Sequence, residues 1–357
     1  MTEQNHPDRG MRFLVIAAAL VIIVWGINQA QSVLASFLVA VFLAVIGTPP
    51  VLWLERKRIP SVVAVLLVVS GMITILVIVG VVVSTSVNSF YAELPVYQAR
   101  LQEQVSAFDT FWATKGVRGT DKILLGYVKP GAVMSMTASL LSGLGATLSN
   151  IVLILVTVTF ILIEASSFPV KLRAVLGHSK QAFPQFTRFV GDIERYMIIK
   201  TAISLAAGIL IGIWLSILGV DFPVLWGFLA FLLHYVPNVG FLIAAIPAVL
   251  LALVQLGLGS ASFAAAGYLV INFVLGNMVE PMLMGRRLGL STLVVFLSLV
   301  FWGSLLGPIG MVLCIPLTMT LKFACENNIS TRWIAVLLGP ETPAENIPPM
   351  SKRGKNE

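Results

Sequence analysis

A chain of 357 residues that is 58% apolar and 11% charged, with mean hydropathy +0.96, holds less than half the charge of an ordinary soluble domain, about 25%. That composition excludes a soluble globular fold, and apolar runs that are continuous rather than alternating exclude a β-barrel, leaving an all-α polytopic membrane protein. The formal charge of +7 does not require nucleic acid as a partner, because the basic residues lie between apolar runs, where topology in membrane lipid accounts for them.

Residues 13–54 carry no charge and divide into two predicted spans, about 11–27 and 32–54, joined at Asn28-Gln29-Ala30-Gln31. No small-residue cleavage site follows a short apolar core, so the first reads as a retained span and not a signal peptide. The cluster Glu55-Arg56-Lys57-Arg58 precedes a third span, about 61–83, and residues 1–85 read as three N-terminal transmembrane helices. Residues 86–145 read as an extramembrane helical region. There Phe90, Leu94, Tyr97, Leu101, Val105, Phe108 and Trp112 recur at steps of four and three, one stripe of an amphipathic helix. Pro95 suits that helix's first turn. The stripe is expected to pack within a small domain, against a second amphipathic stretch around Ile123–Leu144; the bilayer surface and a neighbouring copy in a homo-oligomer are the alternatives.

A fourth span, about 146–163, and a basic connector make up 146–200, and a fifth span covers about 201–220. The Lys/Arg bias puts the N-terminus, the connector and the tail, 324–357, in the cytoplasm. Gly208 and Gly212 form a GxxxG, a signature of close helix packing. From Phe222 to Val279 the only titratable side chain with a basic group is His234. Residues 224–256 are too long for one untilted pass and too short for two with a turn. Pro237, Asn238 and Gly240 mark a turn inside that stretch. Residues 292–321 repeat the puzzle, with Gly307, Pro308 and Gly310 at the middle. Both stretches are expected to be re-entrant hairpins, broken helices that enter and leave by one face, which keeps Arg286 and Arg287 cytoplasmic. Two interrupted segments in corresponding places point to the substrate path of a transporter, with 201–323 as its core. Trp226-Gly227 and Trp302-Gly303 precede the two interruptions, and both tryptophans read as interface anchors.

No nucleotide loop, nucleophile elbow or metal motif is present, so neither catalysis nor a cofactor is expected. Cys314 and Cys325 suggest neither disulfide nor metal site, and His6, His178 and His234 lie far apart. The suspects are polar residues at membrane depth. Glu280 ends the uncharged run, with Asn277 and Asn272 broadly on its helical face; a carboxylate there can exchange a coupling proton or cation. His234 and Asn238 flank the first turn and can hydrogen-bond a polyhydroxylated ligand or simply stabilise the turn. Lys200 and Thr201, with Arg286 and Arg287, stand at the cytoplasmic entrance, Lys200 chiefly as an anchor.

The stretches GNMVEPMLMGRRLGLSTLVVFLSLVFWGSLLGPIGMVLCIPL (Gly276 to Leu317), RYMIIKTAISLAAG (Arg195 to Gly208) and WGFLAFLLHYVPNVGFLIAAIPAVL (Trp226 to Leu250) resemble the autoinducer-2 exporter family. The resemblance spans nearly the whole chain and is strongest over about 190–325. It implies an inner-membrane permease of about seven or eight membrane segments, with a polar domain after the third, that exports a small molecule such as autoinducer-2. The wider family often has an aromatic residue at Asn238 and a proline at Phe241; this chain departs there, at the expected hairpin tip. Family members linked to cation–proton exchange keep an antiporter as one alternative function, and a non-transporting membrane scaffold is another.

Overall fold

The computed structural model describes residues 9–114, 151–176, 182–237, 239–284, 290–326 and 331–339, and among them every regular element is a helix. Asn238, Arg286, Arg287 and the stretch around Ile123–Leu144 lie outside the described residues, as do the side chains of Leu101, Val105, Phe108 and Trp112. Among the described residues, five helices are long and apolar enough to cross a membrane: Gln31–Arg56, Ser61–Tyr97, Gln185–Leu218, Leu258–Met284 and Thr292–Glu326. Their outward faces carry exposed Leu, Ile, Val and Phe, as lipid-facing surfaces do.

α1 (Arg9–Gln29) and α2 (Gln31–Arg56) are separated by Ala30 alone, whose φ of −90° and ψ of 9° make the joint a bend. α2, α3 (Ser61–Thr114) and α4 (Ile151–Leu176) form one packed unit. Ala40, Ala44 and Val51 meet Ala64, Val65 and Val69 of α3 and Ile154, Val158 and Leu162 of α4. Small residues let these backbones approach closely.

α3 corrects one expectation. Pro95 lies inside a single 54-residue helix and starts no new one. A proline ring costs a helix interior one hydrogen bond and a clash with the carbonyl four residues back. Here Phe90 and Tyr97, either side of the proline, are both buried against the next unit, and that packing holds the helix through it.

α5 (Ala182–Leu218) and α6 (Pro223–Leu233) cross at glycines. A Cβ on Gly208 would lie 2.6 Å from the Gly227 carbonyl oxygen, and one on Gly227 would lie 3.2 Å from Gly212 Cα. The GxxxG is therefore a backbone-to-backbone contact. α6 has 11 residues, about 16 Å of helix, roughly half a hydrocarbon core. A turn from His234 leads into α7 (Gly240–Leu256). The Asp221 N–H donates to Gln255 Oε1 (3.1 Å), and the Gln255 amide in turn bonds the Asp221 carboxylate. Asp221 precedes α6 and Gln255 ends α7, so the chain doubles back. Gly240 permits the tight return, since a Cβ there would fall 1.7 Å from the Leu233 carbonyl oxygen.

α8 (Leu258–Asn272) passes into a π-helical segment, Phe273–Val279, and then α9 (Glu280–Met284). α10 (Thr292–Glu326) is interrupted at Gly307, where φ is 64° and ψ is −148°. Ser298 and Thr318 hydroxyl oxygens are 2.8 Å apart, whereas twenty residues of straight helix would separate them by about 30 Å. α10 is thus two arms folded on each other. Gly310 sits against the Trp302 carbonyl, leaving 1.9 Å for a Cβ, so each reversal has a glycine pressed on the last turn of its first arm. A short α11 (Arg332–Leu337) closes on the start of α10 through Ser291 N–H to Leu338 O, 3.2 Å.

Of the two tryptophans expected as anchors, Trp226 is not at the surface. Trp226 is fully buried, donates Nε1–H to the Asp221 carbonyl at 3.0 Å and meets Phe90 edge-on. Trp302 Nε1–H donates to Thr318 Oγ1 at 3.0 Å, tying the arms of α10 together. A buried indole satisfies its N–H internally, which sequence position alone does not reveal.

Candidate functional site

Lys200 stands eighteen residues from either end of α5. Its Nζ lies 2.9 and 3.0 Å from the two carboxylate oxygens of Glu280, with side-chain exposures of 5% for Lys200 and 19% for Glu280. The π-helical turn delivers the carboxylate. Over Phe273–Val279 the bonding steps lengthen from four residues to five, which shifts the helical phase. Asn272 and Asn277, five apart, line one surface groove with Leu269, Val270 and Phe273, while Glu280 reaches α5. The three residues expected on one face are divided between groove and ion pair.

One residue beyond Lys200, Thr201 accepts a hydrogen bond from the Tyr235 hydroxyl (2.8 Å) and donates to the Met197 carbonyl (2.7 Å). Tyr235 belongs to the α6–α7 turn, so that turn docks on α5 beside the ion pair. Its ring meets Phe42 edge-on at 5.6 Å. Phe42 lies eleven residues from Gln31 and fourteen from Arg56, the ends of α2, about 17 and 21 Å along the axis. Tyr235 therefore meets α2 near the middle of that membrane-length helix. His234, the neighbouring turn residue, is buried with Nε2 unpartnered. Pro237 accepts the Val239 N–H at 2.7 Å within the same turn.

The second reversal supplies a wall. Val236 of the turn packs with Tyr196 and Met197 of α5 and with Leu313, Cys314 and Ile315 of the returning arm of α10. Its bend lies elsewhere: Gly307 abuts Gln31 at the head of α2, and Pro308 is exposed. Gly307, Pro308 and Gly310 thus shape an arm that backs the site without being drawn to the ion pair. Among the described residues, no group of three His, Cys, Asp or Glu converges to hold a metal ion.

A desolvated lysine–carboxylate pair held by two hydrogen bonds is costly in an apolar interior unless its partners stay matched. It can hold two helices together while paired and let them part when either charge changes or a polar guest competes. Sequence reasoning named Glu280 as a coupling candidate and Lys200 chiefly as a cytoplasmic anchor, and did not join the two as the ion pair does. The partner is eighty residues away, beyond any local signal. Ser204 and Tyr268, both buried and unpartnered, the latter beside His234, were missed altogether.

Several membrane-length helices, two reversals and a buried ion pair define a multi-pass membrane protein with a built polar centre. Comparison with known proteins supplies the rest. Residues 13–329 match the AI-2E family transporter pattern. The chain is 38% identical to the AI-2 transport protein TqsA of Escherichia coli K12, over 92% of this chain and 96% of that protein. It is 34% identical to the “Putative transport protein YhhT” of the same organism, over 97% and 99%. A Haemophilus influenzae relative of similarly general name is 35% identical over 92% and 96%. The chain belongs to the AI-2E transporter family.

Proposed function

We propose that this protein exports a small polar solute, autoinducer-2, across the inner membrane by alternating access, with both termini in the cytoplasm. The observation that carries the reading is the Lys200–Glu280 pair, buried where α5, the π-helical segment and the α6–α7 turn converge. The printed name of the TqsA relative, which shares most of the chain, supports the cargo.

In this reading both reversals are re-entrant, giving seven or eight membrane segments. Backbone that turns at membrane depth is tolerated where protein or a water-filled path covers it, and the α6–α7 turn is covered by the returning arm of α10. While Lys200 and Glu280 are paired, α5 and α9 are held together. Hydroxyl groups of an entering solute, or a coupling proton on Glu280, weaken the pair and free the turn on Thr201 to shift. Release of the solute on the far side lets the pair re-form. The deciding experiment has two arms. Deleting the gene should raise the intracellular signal, and purified protein should carry autoinducer-2 across vesicle membranes. Vesicles that behave alike with and without protein would remove the cargo assignment.

A further inference from the structure

Two carboxamides stand where a lipid-facing helix has no use for them. Asn272 lies fourteen residues from Leu258 and twelve from Met284, the ends of a membrane-length helix, and Asn277 follows five residues on. Asn272 is half-buried and Asn277 exposed, and among the described residues neither side chain has a hydrogen-bond partner. A carboxamide turned to lipid tails gains no bond in return for the water it loses. Polar side chains at this depth therefore face the bundle interior or a water-filled cavity.

The π-helical segment puts both amides on one surface. In an α-helix, residues five apart differ by about 140° around the axis. Over Phe273–Val279 the backbone bonds run five residues instead of four, which stacks residues five apart. Asn272 and Asn277 accordingly line one groove of about 400 Å³, flanked by Leu269, Val270 and the ring of Phe273. Gly276 leaves the first amide uncovered: the nearest atom to a Cβ there would be Asn272 Oδ1, at 3.8 Å. Ligand sites run to about 300–1,000 Å³, mostly apolar with a few polar groups that fix orientation, and a π-helical turn often marks a functional site. No charged side chain is among the described residues that line the groove. Each amide offers N–H donors and a carbonyl acceptor, a set that suits hydroxyl and carbonyl oxygens and gives an ion no counter-charge.

We propose that this groove on α8 and its π-helical continuation binds a small uncharged solute with several hydroxyl or carbonyl oxygens, held by Asn272 and Asn277. The proposal deepens the transport reading and rests on it for the solute's identity, though not for the site. Glu280 follows Asn277 by three residues, so a solute seated on the amides lies within about one turn of the ion pair along the helix axis. The π-helical segment then serves twice, aligning the amides outward and carrying the carboxylate inward to Lys200.

Asn277→Leu separates binding from packing. The amide it removes has no partner among the described residues, so the apparent Tm of the full chain in lipid nanodiscs should hold or rise. Equilibrium dialysis of the nanodiscs against autoinducer-2, and separately against D-ribose as a plain hydroxylated ring, should show wild-type binding that weakens about tenfold in Asn277→Leu and in Asn272→Leu, one lost hydrogen bond each. Asn277→Gln, which keeps the amide, should lose less than Asn277→Leu. Wild-type protein that binds neither compound overturns the proposal. So does unchanged affinity in both leucine variants; if autoinducer-2 is the compound bound, the transport reading survives and the site lies elsewhere. D-ribose bound without autoinducer-2, with the tenfold losses, upholds the site and removes the cargo. A leucine variant whose mass by light scattering in detergent falls below that of the wild type would make the amides a contact between copies, and would equally overturn the site.

Discussion

Breaking the Lys200–Glu280 pair should cost more stability than removing it. Glu280→Gln leaves an ammonium that is 5% exposed without a counter-charge, and Lys200→Met strands a carboxylate that is 19% exposed. Loss of one partner from a buried pair is worth about 3–5 kcal/mol, whereas replacing both by neutral groups of similar volume is often close to neutral. Both oxygens of Glu280 lie within 3.0 Å of one nitrogen, so Glu280→Gln is placed toward the lower end, about 3 kcal/mol, because an amide oxygen still accepts one bond. The Lys200→Met/Glu280→Gln double variant should recover most of the loss, giving a favourable coupling of at least about 2 kcal/mol in a double-mutant cycle. Reversible unfolding of each variant in mixed micelles measures it. Additive single effects, or a Glu280→Gln loss under about 1 kcal/mol, would refute the reasoning that the pair is a matched, desolvated unit.

The reversals should be intolerant of a single methyl group. Gly240→Ala and Gly310→Ala, with 1.7 and 1.9 Å to a backbone oxygen, should each cost upwards of about 3 kcal/mol or abolish folded protein, whereas Gly259→Ala, with nothing within 4 Å, should be neutral or stabilising by up to about 1 kcal/mol; folded yield and Tm report both. Thr318→Val removes the acceptor of the Trp302 indole and the contact with Ser298 and should cost about 1–3 kcal/mol, read by thermal unfolding. Tyr97 lies 2.5 Å from a Glu93 oxygen and 2.8 Å from an Asp221 oxygen, joining α3 to the base of the first reversal. Tyr97→Phe should speed amide exchange around 221–226 while leaving exchange at 40–51 unchanged. By contrast Lys171→Ala breaks an exposed pair with Glu164 and should shift stability by no more than about 0.5 kcal/mol.

The positions of reversal were legible because only a few residue types permit them. Gly240 and Gly310 announce close backbone approach, and Gly307 takes up a positive φ that side chains avoid. Segment lengths carried the same message, since residues 224–256 and 292–321 are too long for one untilted pass and too short for two with a turn. Pro95 misled because its local cost was outweighed by packing of Phe90 and Tyr97 with residues more than a hundred positions away. Trp226 misled for a similar reason: its ring is buried against Phe90, a residue more than a hundred positions away. The candidate site was half visible. A lone carboxylate ending a long uncharged run is conspicuous, but a lysine at the polar edge of an apolar run looks the same whether it anchors a helix or lies at its centre. The π-helical turn that brings Glu280 to Lys200 has no composition of its own. Ser204 and Tyr268 are ordinary residues in apolar helices until their missing partners are counted.

The central claim is that the buried pair is the working centre of a transporter. Efflux of autoinducer-2 from loaded proteoliposomes, compared between wild-type protein and the Lys200→Met/Glu280→Gln double variant, tests it most directly. The account predicts rapid efflux through the wild type and retention of the signal by a double variant that remains folded. A folded double variant that releases the signal at the wild-type rate would contradict it.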